Sequence, residues 1–230
     1  MRIAVGGIAH DRWTVPEWLS ALRALETGEH EIEWCFVLDG YSPPAELGEH
    51  EHIAQVLGLA SLQSYRRQGG TPESCRSQYS RLALLRNMLA DMALGLGCDA
   101  LLSVDSDIVV PPDLLVQLVE TGMPWAAGLV RNSATNPAAW NVWAAIEEDP
   151  LRVRRFVPPI YAGGAILLQQ GESLAAGAVC LYSADLLRAA RWSSNAEGLQ
   201  EDVCFAAEAF RAGYRAAYIP VVCKHLTIEG

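Results

Sequence analysis

Read as a string of apolar and polar positions, the chain alternates short apolar runs with longer stretches of helical period. Ile3 to Val5 is a continuous apolar run and predicts a buried strand. Between Val15 and Leu25, the residues Trp18, Leu19, Leu22 and Leu25 fall on one helix face, with Pro16 near the first turn, where its fixed φ is tolerated. Ile32 to Leu38 (IEWCFVL) predicts a second buried strand that ends at Asp39-Gly40. Helical character returns from Ala45 to Leu57, and a long helix is expected from Ser74 to Leu96, closed by Gly97. Ala100 to Val104 (ALLSV) predicts another strand, Pro111-Pro112 opens a helix through Val119, and Pro124 to Val130 is strand-like. Near the end, a strand (Ala178 to Tyr182), two helices (Ala184 to Ala190 and Glu201 to Ala212, the latter stopped by Gly213) and a strand (Ala216 to Ile219) are expected.

This βαβα order predicts an α/β domain with a mostly parallel central sheet flanked by helices. Such sheets bind ligands at the carboxyl ends of their strands, and Asp39, Asp105 and Asp107 stand at such ends. Arg131 to Glu172 breaks the rhythm with clusters of Asn, Pro, Trp and Gly, and reads as strands and loops rather than a separate domain. No internal repeat or low-complexity tract interrupts the pattern, so a single domain over residues 1–230 is expected.

Composition narrows the partners. Of the 230 residues, 51% are hydrophobic and 19% charged, which fits one folded domain with its own core. A formal net charge of −10 works against nucleic acid or an anionic membrane surface as a partner. No run approaches the roughly 20 apolar residues of a membrane span. The opening MRIAVGGIAHDRW lacks a secretory pattern, so a soluble, cytoplasmic chain is expected. The six cysteines Cys35, Cys75, Cys98, Cys180, Cys204 and Cys223 form no C-x-x-C pair and mostly sit in apolar runs, which predicts buried reduced thiols.

Three short strings carry candidate chemistry. In Leu101-Leu102-Ser103-Val104-Asp105-Ser106-Asp107, residues two apart on an extended chain share a face, so Asp105 and Asp107 are expected to converge where the strand leaves the sheet. Two close carboxylates repel unless a proton or cation lies between them. A divalent ion held by one or two carboxylates plus substrate phosphates relieves that repulsion. A D-x-D triplet also arises by chance as two solvated aspartates; its place after an apolar strand and before Ile-Val-Val-Pro-Pro makes this one more specific. Gln200-Glu201-Asp202 opens a helix, where acids often serve only as caps or dipole partners. His225 follows YIPVVC, and its spacing behind the Glu-Asp helix is what singles it out.

Taken together, these strings resemble a known superfamily. QEDVCFAAEAFRAGYRAAYIPVVCKH resembles the closing block of GT-A glycosyltransferases of the large inverting family 2 type, in which a Glu-Asp pair begins a helix, Ala-Gly-Tyr ends it and a strand leads to a histidine. RNMLADMALGLGCDALLSVDSDIVVPPDLL resembles the Arg-Asn helix, strand and D-x-D of the same superfamily. Its DSDIVVPPDLL portion also resembles the Anp1-type mannosyltransferases, which retain anomeric configuration. GAVCLYSADLL resembles the acceptor-side strand and helix before the Glu-Asp block. The resemblance covers most of the chain except roughly Asn132 to Glu172, and its specificity lies in the order and spacing of the motifs.

The resemblance implies a GT-A fold, a Rossmann-like nucleotide-diphospho-sugar transferase domain. Residues 1–130 would form the nucleotide-sugar-binding half and residues 131–230 the acceptor-side half. It implies that Asp107 and His225 hold Mn²⁺ or Mg²⁺. Asp105 would face the ribose or the metal's water shell, which counts it with both the metal and the nucleotide contacts, beside Ser106. Asp39 would meet the nucleobase, and either Arg81 or Arg86 would be the nucleotide-side arginine. Asp202 would be the catalytic base of an inverting transfer, with Glu201 as its neighbour. The implied donor is a UDP- or GDP-sugar, and the acceptor a glycan, small molecule or peptide. Trp125, Trp140, Trp143 and Tyr161 are acceptor-side candidates, Trp125 reading rather as core and Trp140 and Trp143 as exposed. Arg152, Arg154 and Arg155 read as a solvated basic cluster.

One departure stands out: Gly6 to Arg12 lacks the family's Pro-x-Tyr-Asn-like opening. Among rival readings, a nucleotidyltransferase wants a Gly-rich basic loop after the first strand, and VGGIAHDRW has none. A haloacid-dehalogenase-type phosphatase wants its D-x-D near the chain start. A dinucleotide-binding fold wants G-x-G-x-x-G there. A non-catalytic nucleotide-sugar-binding protein on the same scaffold is the remaining alternative, and the intact set Asp107, Asp202 and His225 argues against it.

Overall fold

In the computed structural model, residues 1–9, 13–39, 52–56, 72–131, 140–146, 149–155, 166–167, 172–175, 177–194 and 200–226 are described. The first apolar run forms β1 (Arg2–Ala9), followed by α1 (Val15–Arg23), β2 (Glu31–Asp39) and β3 (His52–Val56). Helix α2 (Pro72–Gly95) leads to β4 (Ala100–Val104), the short β5 (Ile108–Val109), α3 (Leu114–Glu120) and β6 (Trp125–Val130). Then come β7 (Trp143–Ile146), β8 (Asp149–Arg155), β9 (Ile166–Leu167), β10 (Glu172–Ala175), β11 (Val179–Ser183), α4 (Ala184–Ala189), α5 (Glu201–Arg211) and β12 (Ala217–His225).

The central sheet runs β3-β2-β1-β4-β11-β6-β12-β5, with β9 also pairing with β12. It is parallel from β3 to β4 and between β6 and β12. Strand β11 enters antiparallel to both β4 and β6, which makes the sheet mixed. A second antiparallel sheet, β10-β7-β8, is built from the irregular middle of the chain.

The central strands are largely apolar because both faces are covered. Ile3, Val5, Phe36, Leu38, Leu102 and Val104 face α1 and α3, where Trp18, Leu19, Leu22, Leu114, Leu115 and Leu118 pack. The alternate residues Ala4, Cys35, Val37 and Leu101 face Leu85, Leu89 and Ala93 of α2 and Phe205, Ala206 and Ala209 of α5. This period of two follows from the pleat. On the second face Trp192 stacks on Phe205 with centroids 4.0 Å apart, and Trp125 and Tyr182 meet the same ring edge-on. Phe205 lies one turn beyond Asp202, so this aromatic packing anchors the beginning of α5.

Two expectations are corrected, and one strand is new. The helix expected from Ala45 to Leu57 is a strand over His52–Val56, paired in parallel with Cys35–Asp39; residues 45–51 and 57 lie outside the described ones. The open edge of β2 offers unpaired backbone groups, and pairing with it overrides a weak local preference. Strand β12 runs on to His225, so the histidine ends a strand instead of following one. Strand β5, unanticipated, pairs with the end of β12.

The described cysteines Cys35, Cys98, Cys180, Cys204 and Cys223 are buried thiols, as expected, while the side chain of Cys75 is outside the described ones. Burial pushes Cys35, Cys180 and Cys223 up to about 12, which keeps them neutral. Among the described residues no helix is long and apolar enough to cross a membrane.

Candidate functional site

Strand β4 delivers Asp105 to the carboxyl edge of the sheet, and there the chain turns. The Asp105 N–H donates to the carbonyl of Ala178 at 2.8 Å, and the Ile108 N–H donates back to the carbonyl of Asp105 at 3.0 Å. The tripeptide Asp105-Ser106-Asp107 is therefore curled, and the two-residue alternation of a strand does not apply to it. The two aspartates meet different partners. Asp105 faces Arg86, while Asp107 faces His225.

The Asp107–His225 pair is set by backbone pairing. His225 lies opposite Ile108 where β12 meets β5, and the Leu226 N–H donates to the carbonyl of Asp107 at 2.8 Å. Asp107 Oδ2 and His225 Nε2 are 3.7 Å apart, with side chains 10% and 14% exposed. Two ligands each about 2.1 Å from one ion are about 3 Å apart at a right angle and about 4 Å apart when opposed. The pair's spacing fits a shared divalent ion. Among the described residues no three His, Cys, Asp or Glu side chains form a metal-binding group, so waters or phosphates would fill the other positions.

The second group surrounds Arg86, a residue of α2 with a side chain only 6% exposed. Its Nη1 reaches Asp105 Oδ1 at 3.2 Å and the carbonyl of Gly177 at 3.4 Å, and Nη2 reaches Asp105 Oδ2 at 3.5 Å. Its Nε donates to Glu201 Oε1 at 3.2 Å and lies 3.5 Å from Asp202 Oδ1. Three carboxylates thus share one guanidinium. Burial works against the Arg86 charge, but Asp105, Asp202 and Glu201 outweigh it and hold its pKa above the ordinary value. Burial, and then the neighbouring charge of Asp202, push Glu201 up to about 8 against the pull of Arg86. Burial also raises Asp202, with Asp105 adding and Arg86 opposing.

Gly177 gives Asp202 its room: a Cβ at this position would lie 2.0 Å from Asp202 Oδ2. Neighbouring Asn87 donates to the carbonyl of Trp192 at 2.8 Å and accepts from its N–H at 3.1 Å, which ties α2 to the segment before α5. Gly177 and Asn87 both lie in strings quoted from the sequence, but neither was given a role there. A glycine directly before an apolar strand was the available signal for the first.

Asp39, at the end of β2, is paired with Arg81, the other candidate arginine. Its Oδ2 is buried and has no hydrogen-bond partner among the described residues. The two arginines are thereby separated: Arg81 stands with Asp39, and Arg86 with Asp105, Glu201 and Asp202. Ser106 is fully buried within the turn. Trp125 is core, as expected. Trp140 is 6% exposed and lies under the guanidinium of Arg131 at 5.6 Å, which corrects the expectation of exposure. A β-bridge between Arg131 and Trp140 draws that residue inward. The side chains of Trp143, Arg152, Arg154 and Arg155, and all of Tyr161, lie outside the described residues.

No protein-family model and no curated relative matches the sequence. Solved structures do share the fold. The structure of S. aureus TarS 1–349 in complex with UDP-GlcNAc aligns over 100% of this chain and 60% of its own, with a TM-score of 0.56 and 15% identity. The same TarS fragment in complex with UDP aligns over 97% and 60%, with a TM-score of 0.54 and 16% identity. A protein from STIV aligns over 98% of this chain and 85% of its own, with a TM-score of 0.50 and 13% identity. The chain spans 60% of the TarS fragment. At these identities the likeness is one of architecture alone, a GT-A-like mixed α/β fold.

Proposed function

We propose that this chain moves a sugar from a nucleoside-diphosphate sugar to an acceptor hydroxyl, with inversion and with Asp202 as the base. The observation that supports this reading is the pairing of residues far apart in sequence. The fold brings Asp39 to Arg81, Asp105 and Asp202 to Arg86, and Asp107 to His225. The architecture shared with a protein solved with UDP and with UDP-GlcNAc supports a UDP-type donor.

Asp39 accepts from an N–H of the nucleobase through the oxygen left by Arg81. Asp107 and His225 would hold Mn²⁺ or Mg²⁺, which would supply charge stabilisation to a departing diphosphate. Asp202 takes the proton of the acceptor hydroxyl once that oxygen lies within about 2.6–3.2 Å. Its raised pKa makes it a stronger base than a solvated aspartate. Residues 131–230 supply the acceptor side, for a glycan, small molecule or peptide.

A thermal-shift screen of UDP, GDP, CDP and dTDP, each with and without Mn²⁺, tests the reading. UDP or GDP is expected to raise the melting temperature by several degrees only when Mn²⁺ is present. Silence from all four nucleotides defeats it. The anomeric configuration of the product by NMR separates inversion from the retention that the Anp1-type likeness of DSDIVVPPDLL implies.

A further inference from the structure

We propose that Arg86 is a positioning residue and not a nucleotide contact: it joins the Asp105 end of β4 to the Glu201–Asp202 start of α5 and aims the Asp202 carboxylate past Gly177. The inference rests on the proposed transferase reading and names how its base is held.

Three observations carry it. First, the guanidinium is turned into the fold. Its Nε donates to Glu201 and lies 3.5 Å from Asp202, its Nη1 donates to Asp105 and Gly177, and its Nη2 donates to Asp105. An arginine that grips a diphosphate must turn donors outward, and a side chain 6% exposed among three carboxylates turns them inward. Second, Arg81 already stands at Asp39, so the donor side has an arginine of its own. Third, Asp202 is bounded twice, by the Arg86 Nε at 3.5 Å and by the missing Cβ of Gly177. The same short segment is joined to the D-x-D turn, because Ala178 accepts the Asp105 N–H while Gly177 accepts from Arg86. A buried ion cluster is a poor source of net stability, since desolvation offsets the attraction. Its contribution is geometry: a forked, always-charged group fixes the distance between two carboxylates that belong to different elements.

The experiment compares wild type, Arg86→Gln, Arg86→Lys, Gly177→Ala and the Arg86→Lys/Gly177→Ala double variant. Each is assayed for UDP affinity with Mn²⁺ by calorimetry, and for kcat and KM in UDP-GlcNAc hydrolysis with Mn²⁺. Arg86→Gln is expected to keep its UDP Kd within about threefold and to lose about 100-fold in kcat. Arg86→Lys keeps the charge without the fork and is expected to lose about tenfold in kcat at unchanged Kd, which keeps the test alive if the glutamine variant does not fold. Gly177→Ala moves the Asp202 carboxylate with Arg86 intact and is expected to show the same split. Combined with Arg86→Lys it should lose less than the product of the two single effects. A UDP Kd weakened more than about tenfold with kcat preserved makes Arg86 a nucleotide contact and overturns the proposal. So does wild-type kcat in Arg86→Lys. Wild-type protein that binds none of UDP, GDP, CDP and dTDP with Mn²⁺ overturns the transferase reading itself, a distinguishable result.

Discussion

Asp105 and Asp107 leave the same strand end two residues apart and meet different company. Asp105 is drawn inward to a guanidinium that also serves Glu201 and Asp202. Asp107 is turned toward an imidazole on the last residue of β12. The first group contains its own counter-charge and is held by covalent positions on α2, β4 and α5. The second joins a carboxylate to a ring nitrogen, a combination that a divalent cation satisfies better than either group satisfies the other. One turn thus separates the cluster around the proposed base from a pair suited to a cation, and the D-x-D string by itself does not announce that separation.

Changing either side of this contrast should have unequal effects. The largest is expected at the base. Asp202→Asn removes the proton acceptor but keeps the shape, so turnover should fall by about 10²–10⁴-fold while UDP binding with Mn²⁺ is retained. Steady-state kinetics beside calorimetry checks this, and wild-type turnover in the variant would remove Asp202 from the role. Next comes the cation side. Asp107→Ala and His225→Ala should each abolish the Mn²⁺-dependent rise in melting temperature with UDP, several degrees in wild type, and leave the protein without nucleotide nearly as stable. A full Mn²⁺ response in both variants would break the comparison.

The smallest effect concerns protons. Glu201 is raised to about 8 in the fold from an ordinary value near 4.5, by burial first and Asp202 second. Across that window the native chain keeps a proton that the unfolded chain releases. This contribution is complete below the unfolded value and disappears as pH rises through about 8. The melting temperature of wild type should therefore decline from pH 5 to pH 9, and Glu201→Gln should flatten the decline by a few degrees. The raised Asp202 contributes with the same sign and remains in the variant. Parallel slopes for the two proteins would show that Glu201 does not hold the proton.

Much of the fold was legible because its strands are covered on both faces. ALLSV reads as a strand whatever its neighbours do, and Ala100–Val104 is one. The long helix is equally plain from Ser74 to Leu96 and runs Pro72–Gly95. The misses share a cause. His52–Val56 is a strand because β2 has an open edge, Ile108–Val109 because β12 reaches it, and Trp140 is buried because Arg131 bridges to it. Each depends on a partner distant in sequence, which local period cannot supply. In the site, the residues were legible but their grouping was not. The Asp105 carbonyl accepts from the Ile108 N–H, and no spacing rule encodes that bond or the different partners the two aspartates meet. Choosing between Arg81 and Arg86 likewise required knowing which carboxylate each would meet.

The place of β11 in the sheet also bears on how the chain emerges from a ribosome. Strands β1 to β4 come out as a set able to pair with one another, but β6 has only β11 and β12 beside it, and both follow it by dozens of residues. The apolar segment WAAGLV, buried in full once folded, is therefore made long before either neighbour exists. The outer edge of β4 waits for the same late strand. Exposed apolar edges recruit other chains. The interval between the synthesis of residue 130 and that of residue 179 is thus the stage at which the nascent protein most needs protection from its own copies.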